Sequence, residues 1–197
     1  MPGIKAVLLD LYNTLIYHHP CREEVQSAAC KELGLEVTPQ AALQALTIAD
    51  DFYHRENSLS PIEQRSPEAK MAAYSRYQAI FLSALGIEAS PEIVSQILMK
   101  MRTVEMKLVP FDDAIPALKE IRGRQLTTGV ISNIDKDIGP LLSRLGLSQY
   151  LDFWVTAREV GADKPDPRIY AEALQRAGVA AGNALYVADR YQDDITG

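Results

Sequence analysis

The stretch Lys5-Ala6-Val7-Leu8-Leu9-Asp10-Leu11-Tyr12-Asn13-Thr14 decides the fold. Its first half is a short apolar run, and a carboxylate and the turn residues Asn13 and Thr14 follow at once. That pattern predicts a buried strand that ends in a functional loop.

Outward from this strand the pattern changes. From about Cys21 to Lys107 the chain reads as helices, three of them starting at Thr38-Pro39, Ser66-Pro67 and Ser90-Pro91. Each pair is a capping hydroxyl followed by a proline at the first helical position. Gly34 and Gly86 stand where helix C-caps are expected. After Pro110 strand and helix alternate: a helix over Asp113 to Arg122, a strand over Thr127 to Ile131 and a helix over Asp137 to Leu145. A strand over Phe153 to Thr156, a helix over Pro167 to Ala177 capped by Asp166, and a strand over Ala184 to Val187 complete the series. Such alternation implies parallel βαβ units. The fold class expected is α/β, with a Rossmann-like parallel-sheet core made by residues 1–16 and 108–197 and a helical cap inserted over residues 17–107. The last strand runs into what reads as the start of a helix, and a sheet of this kind normally continues beyond it.

The 197 residues suffice for one such core and a modest insertion. With 47% hydrophobic and 23% charged residues the composition is that of an ordinary globular protein. No apolar run approaches the roughly 18 residues of a membrane span, and Met1-Pro2-Gly3 leads into the first strand without a signal-peptide pattern. A cytoplasmic location and no membrane partner are expected. The net charge of −6 comes without a Lys/Arg-rich stripe, which argues against nucleic acid and for a small-molecule substrate. Cys21 and Cys30 lack CxxC spacing and read as reduced structural thiols.

Four segments fall at the carboxyl ends of predicted strands, where open α/β sheets bind ligands. They are Asp10 to Thr14, Ser132-Asn133, Lys164-Pro165-Asp166-Pro167, and Ala188-Asp189-Arg190-Tyr191-Gln192-Asp193-Asp194. A carboxylate directly after a buried strand can act as a nucleophile if it is held ionised and aimed, and Asp10 has that position. Converging carboxylates raise one another's pKa, so the arrangement needs Lys164, a metal, or both. A hard divalent cation with oxygen ligands, most naturally Mg²⁺, suits it. The Ser132 hydroxyl could orient the nucleophile and hold an anionic substrate.

These segments, in this order and with a helical insertion after the first, resemble the haloacid dehalogenase superfamily, in the subclass whose helical cap follows the first strand. The resemblance covers essentially the whole chain. It implies Asp10 as nucleophile, Thr14 bonding near it, Ser132 and Asn133 as substrate-anion ligands, and Lys164 as the group that neutralises charge. It further implies a Mg²⁺ site of Asp10, the backbone carbonyl of Tyr12 and Asp189, with Asp194 as outer-sphere support.

One departure matters. In the superfamily's phosphatases the residue two after the nucleophile is a second aspartate, the general acid and base, and here it is Tyr12. A departing alkoxide gains greatly from a proton donor, whereas a departing halide needs none. The 2-haloacid dehalogenases resemble D-x-Y-G-T at this point, with Asn13 here in place of their glycine, but they are metal-independent. The acidic fourth segment instead follows the metal-dependent phosphohydrolases. Three readings therefore stand: a Mg²⁺-dependent phosphatase-like hydrolase on small phosphorylated metabolites, a metal-independent 2-haloacid dehalogenase, and a domain without turnover that binds a ligand or partner. Tyr12 itself reads either as a packing residue over the site or as a proton donor or substrate-shaping group.

Within the insertion, Arg55, with Tyr53 near it, is a candidate for binding a substrate carboxylate or phosphate, beside the plain reading of a solvated helical arginine. His18, His19 and His54 lack metal spacing and read as surface or cap residues. Ile97, Leu98, Met101 and Met106 read as helical core.

Overall fold

The computed structural model describes residues 3–190 and Asp194. In chain order, strand β1 (Ala6–Asp10) is followed by β2 (Ile16–His19) and helices α1 (Arg22–Lys31), α2 (Pro39–Leu59), α3 (Pro67–Ala84) and α4 (Pro91–Thr103). Strand β3 (Lys107–Pro110), helix α5 (Ala114–Gly123), strand β4 (Thr127–Ser132) and helix α6 (Gly139–Arg144) come next. The chain continues through β5 (Phe153–Thr156), α7 (Ala157–Val160), α8 (Pro167–Ala177) and β6 (Ala184–Val187). The chain divides into two compact units, Met1–Tyr17 with Leu108–Gly197, and His18–Lys107.

In the first unit four strands form a sheet in the order β5-β4-β1-β6, every pair parallel. Leu8 stands opposite Gly129 on one side and Tyr186 on the other. The chain builds outward from β1 through β4 to β5, then returns to place β6 on the opposite side of β1. The strand order therefore reverses between β1 and β6, which is where open α/β sheets leave a crevice for ligands. Burial explains the apolar reading of β1, whose residues are all buried. Val7, Leu9 and Val130 pack with Ala114, Leu118, Leu142 and Leu147, while Leu8, Ile131 and Val155 pack with Ile169 and Ala173. Helices thus cover both faces, and each fully buried Leu, Ile or Val contributes about 1.5–3 kcal/mol of transfer free energy. Strands β2 and β3 pair as a separate two-stranded sheet, which the sequence pattern does not predict.

The second unit is helical in α1 to α4. Ala42, Ala45, Leu46 and Ala49 recur on α2 at the spacing of one helix face. They pack with Cys30, Phe81, Leu82, Val94 and Ile97. The three predicted caps form, with the hydroxyls of Thr38, Ser66 and Ser90 accepting from the backbone of Ala41, Ala69 and Ile93. Gly86 has φ +72° after α3, and the Ile87 N–H reaches back 3.0 Å to the Leu82 carbonyl, a closure that needs the left-handed conformation open to glycine. Arg22 forks onto Asp50 at 2.7 and 3.2 Å beneath the Tyr77 hydroxyl, and Gln26 and Gln78 exchange two side-chain hydrogen bonds. Met106 departs from the expected helical core, since α4 ends at Thr103 and Met106 lies in the link to β3. Cys21 and Cys30 are both free thiols. No described helix is long and apolar enough to cross a membrane.

Candidate active site

The loop after β1 is held by its own backbone. The Leu15 and Ile16 N–H groups both donate to the Leu11 carbonyl, at 2.9 and 3.0 Å, and the Asn13 N–H donates to the Ile16 carbonyl at 2.7 Å. This tight fold puts Asn13 at φ +57°, a left-handed conformation that Asn tolerates better than most residues. Asparagine where the dehalogenase pattern has glycine is thus a backbone-compatible exchange. Burial raises the carboxyl of Asp189, which follows β6, and the Asn13 side chain pulls it back down.

Asp10 ends β1 with only 7% of its surface exposed, and Lys164, beyond β5, is 6% exposed. The Lys164 ammonium donates to Asp10 Oδ1 at 2.5 Å, to Asp194 Oδ1 at 2.7 Å and to the Tyr186 hydroxyl at 3.0 Å. All three of its N–H bonds are thereby used. Burial raises the Asp10 carboxyl to about 6, against the pull of Lys164 and with a smaller push from the Asp194 charge. Desolvation therefore outweighs the ion pair, and Asp10 remains mostly ionised at neutral pH.

Asp194 is also committed. Its Oδ1 accepts from Lys164 and from the Tyr186 hydroxyl at 2.7 Å, and its Oδ2 accepts from the Arg190 backbone N–H at 3.0 Å. Both oxygens are engaged, whereas Asp189 is exposed at the surface. Among the described residues no three His, Cys, Asp or Glu side chains are arranged to hold a metal ion. Mg²⁺ does not require such a cage, because it keeps several waters and binds through one or two carboxylates. Asp10, Asp189 and a backbone carbonyl are oxygen donors of the kind it takes. Tyr191, Gln192 and Asp193 of the fourth segment lie outside the described residues.

Asn133 does something the sequence reading did not assign to it. Its Oδ1 accepts the Lys164 backbone N–H at 2.6 Å and its Nδ2 donates to the Lys164 carbonyl at 3.1 Å, so the amide clamps the lysine's own backbone. Ser132 is buried at the end of β4. The Thr14 hydroxyl is shielded and has no hydrogen-bond partner among the described residues. Tyr12 is half-buried against the cluster of Val7 and Leu9, and burial raises its phenol above the usual value, so it holds its proton. Arg55 is exposed on α2 in the helical unit, and Tyr53 there lies edge-on to the rings of His54 and Tyr77. Tyr186 was not anticipated. Its only sequence cue is period-2 alternation on β6, which puts it on the opposite face to the exposed Leu185 and Val187.

A buried carboxylate at the end of a parallel strand, paired with a buried lysine, is an arrangement that can serve hydrolysis. A profile of haloacid dehalogenase-like hydrolases matches residues 4–197, and the chain belongs to that family. The chain is 28% identical over 199 residues to a glyceraldehyde 3-phosphate phosphatase of Methanopyrus kandleri, covering 98% of this chain and 79% of that protein. A protein of the same name from Methanothermobacter thermautotrophicus is 30% identical over 98% of this chain and 80% of its own length. Among solved structures, an L-2-haloacid dehalogenase superposes with a TM-score of 0.60 at 20% identity, covering 97% of this chain and 80% of that one, a likeness of fold.

Proposed function

We propose that the chain is a Mg²⁺-dependent phosphatase of small phosphorylated metabolites that works through an aspartyl-phosphate on Asp10. The observation that carries this reading is the buried contact of 2.5 Å between Lys164 Nζ and Asp10 Oδ1, in a site whose acidic groups continue after β6. The relatives named glyceraldehyde 3-phosphate phosphatase support the substrate class.

In this mechanism a carboxylate oxygen of Asp10 attacks phosphorus, and the bond from phosphorus to the ester oxygen breaks with its electron pair leaving on that oxygen. The departing alkoxide takes up a proton from solvent, and the water that later attacks returns one. Water then attacks the aspartyl-phosphate at phosphorus, which releases inorganic phosphate and restores the carboxylate. Lys164 holds Asp10 ionised, Asn133 holds Lys164, and the hydroxyls of Ser132 and Thr14 donate to the phosphoryl oxygens. Asp10, the Tyr12 carbonyl and Asp189, supported by Asp194, would hold a Mg²⁺, which would supply positive charge to the phosphoryl group. Arg55 is kept as an anion-binding residue of the helical unit. A cytoplasmic setting, and a small molecule rather than nucleic acid, belong to the same reading.

One observation favours a second reaction. Tyr12 stands two residues after the nucleophile, and its phenol is a poor acid, which a departing halide does not need. In a metal-independent 2-haloacid dehalogenase, Asp10 would displace halide from carbon and water would hydrolyse the ester. Assaying an aryl phosphate and a 2-haloacid in parallel, each with Mg²⁺ and with chelator, separates the two. Phosphate release that chelator abolishes is the expected outcome; chelator-resistant halide release would replace it.

A further inference from the structure

The Tyr186 hydroxyl sits in a closed triangle with the two ionised groups beside it. It accepts from Lys164 Nζ at 3.0 Å and donates to Asp194 Oδ1 at 2.7 Å, and Lys164 Nζ lies 2.7 Å from that same oxygen. Its ring is carried by β6, whose pairing with β1 sets Tyr186 opposite Leu8, two residues before the nucleophile. Tyr170 on α8 braces that ring edge-on at 5.6 Å between centroids. A lysine ammonium is a compact charge on a flexible four-carbon stem, and two carboxylate partners alone leave it free to rotate or to lean toward either one. A third, neutral acceptor on a rigid ring removes that freedom.

We propose that Tyr186 is a positioning residue that fixes the Lys164 ammonium between Asp10 and Asp194. The inference rests on the reading of Asp10 as nucleophile and adds a residue from outside the four motif segments. Phenylalanine would fill the same apolar space between Leu8, Ile131 and Tyr170, so it is the hydroxyl that this role requires.

Tyr186→Phe in the full chain tests it. The ¹H–¹⁵N spectrum of side-chain ammonium groups, with the Lys164 peak assigned by its loss in Lys164→Met, reports the hydrogen bonds directly and needs no turnover. Wild type is expected to show a slowly exchanging Lys164 peak that broadens or disappears in Tyr186→Phe. With aryl phosphate and Mg²⁺, kcat is expected to fall about tenfold, the worth of one hydrogen bond to a charged group, while KM stays within about twofold. Combined with Asp194→Asn, the loss is expected to fall short of the product of the single losses, because both act through the same ammonium. An unchanged ammonium peak, or losses that simply multiply, would overturn the proposal. If wild type hydrolyses no phosphate ester, the proposed reaction fails on its own, and the ammonium spectrum still decides the role of Tyr186.

Discussion

Replacing Lys164 by Met keeps an unbranched stem and removes the charge that Asp10 and Asp194 share. Wild-type Asp10 already titrates at about 6 against 3.8 for an unperturbed carboxyl, so ionising it in the folded protein costs about 3 kcal/mol. The sign follows from linkage: a raised folded-state pKa stabilises at low pH, and that contribution is lost as pH rises from about 4 through 6. Without Lys164, burial and the Asp194 charge act unopposed and move the Asp10 carboxyl further up. Stranding a buried charge by removing its partner costs about 3–5 kcal/mol. At pH 8, where ionising Asp10 strands its charge without a partner, Lys164→Met is expected to lower Tm by about 6–20 °C, at about 2–4 °C per kcal/mol for this size. At pH 5 protonation relieves the repulsion, and the drop should be less than half as large. Thermal melts followed by circular dichroism at the two pH values measure this. Equal drops at pH 5 and pH 8 would refute the reasoning, because the cost would then come from lost packing and not from charge.

Turnover needs ionised Asp10, so kcat/KM is expected to fall as pH drops through about 6, and a flat profile from pH 7 to 5 would contradict the raised carboxyl. Thr14→Val removes a shielded hydroxyl that has no hydrogen-bond partner among the described residues, so urea melts should show stability unchanged or raised by up to about 1 kcal/mol. The same variant should lose about tenfold or more in kcat/KM on a phosphate ester, and a loss of stability instead would make Thr14 structural. Tyr12→Asp supplies the missing proton donor, and turnover of an alkyl phosphate should rise by up to roughly 10²-fold to 10⁴-fold, with a far smaller effect on an aryl phosphate. A fall in alkyl phosphate turnover and in 2-haloacid turnover together would favour the dehalogenase.

Local chemistry carries much of this protein in its order of residues. The apolar run of β1 reads as a buried strand, and Thr38-Pro39, Ser66-Pro67 and Ser90-Pro91 read as helix starts, because capping and proline geometry act within a few residues. Asp10 and Lys164 were legible as a pair for a similar reason: each ends or follows a strand, and parallel strands bring those ends to one edge. The short ribbon of β2 and β3 was not legible, since its strands lie some ninety positions apart and neither alternates cleanly. Nor was the work of Asn133 and Tyr186. A spacing pattern places a residue at the end or on a face of a strand, but hydrogen-bond partners are chosen by side chains from distant segments meeting at about 3 Å. Asn133 turns to the Lys164 backbone 31 residues away, and Tyr186 reaches an ammonium 22 residues before it, only because the order β5-β4-β1-β6 sets those loops side by side.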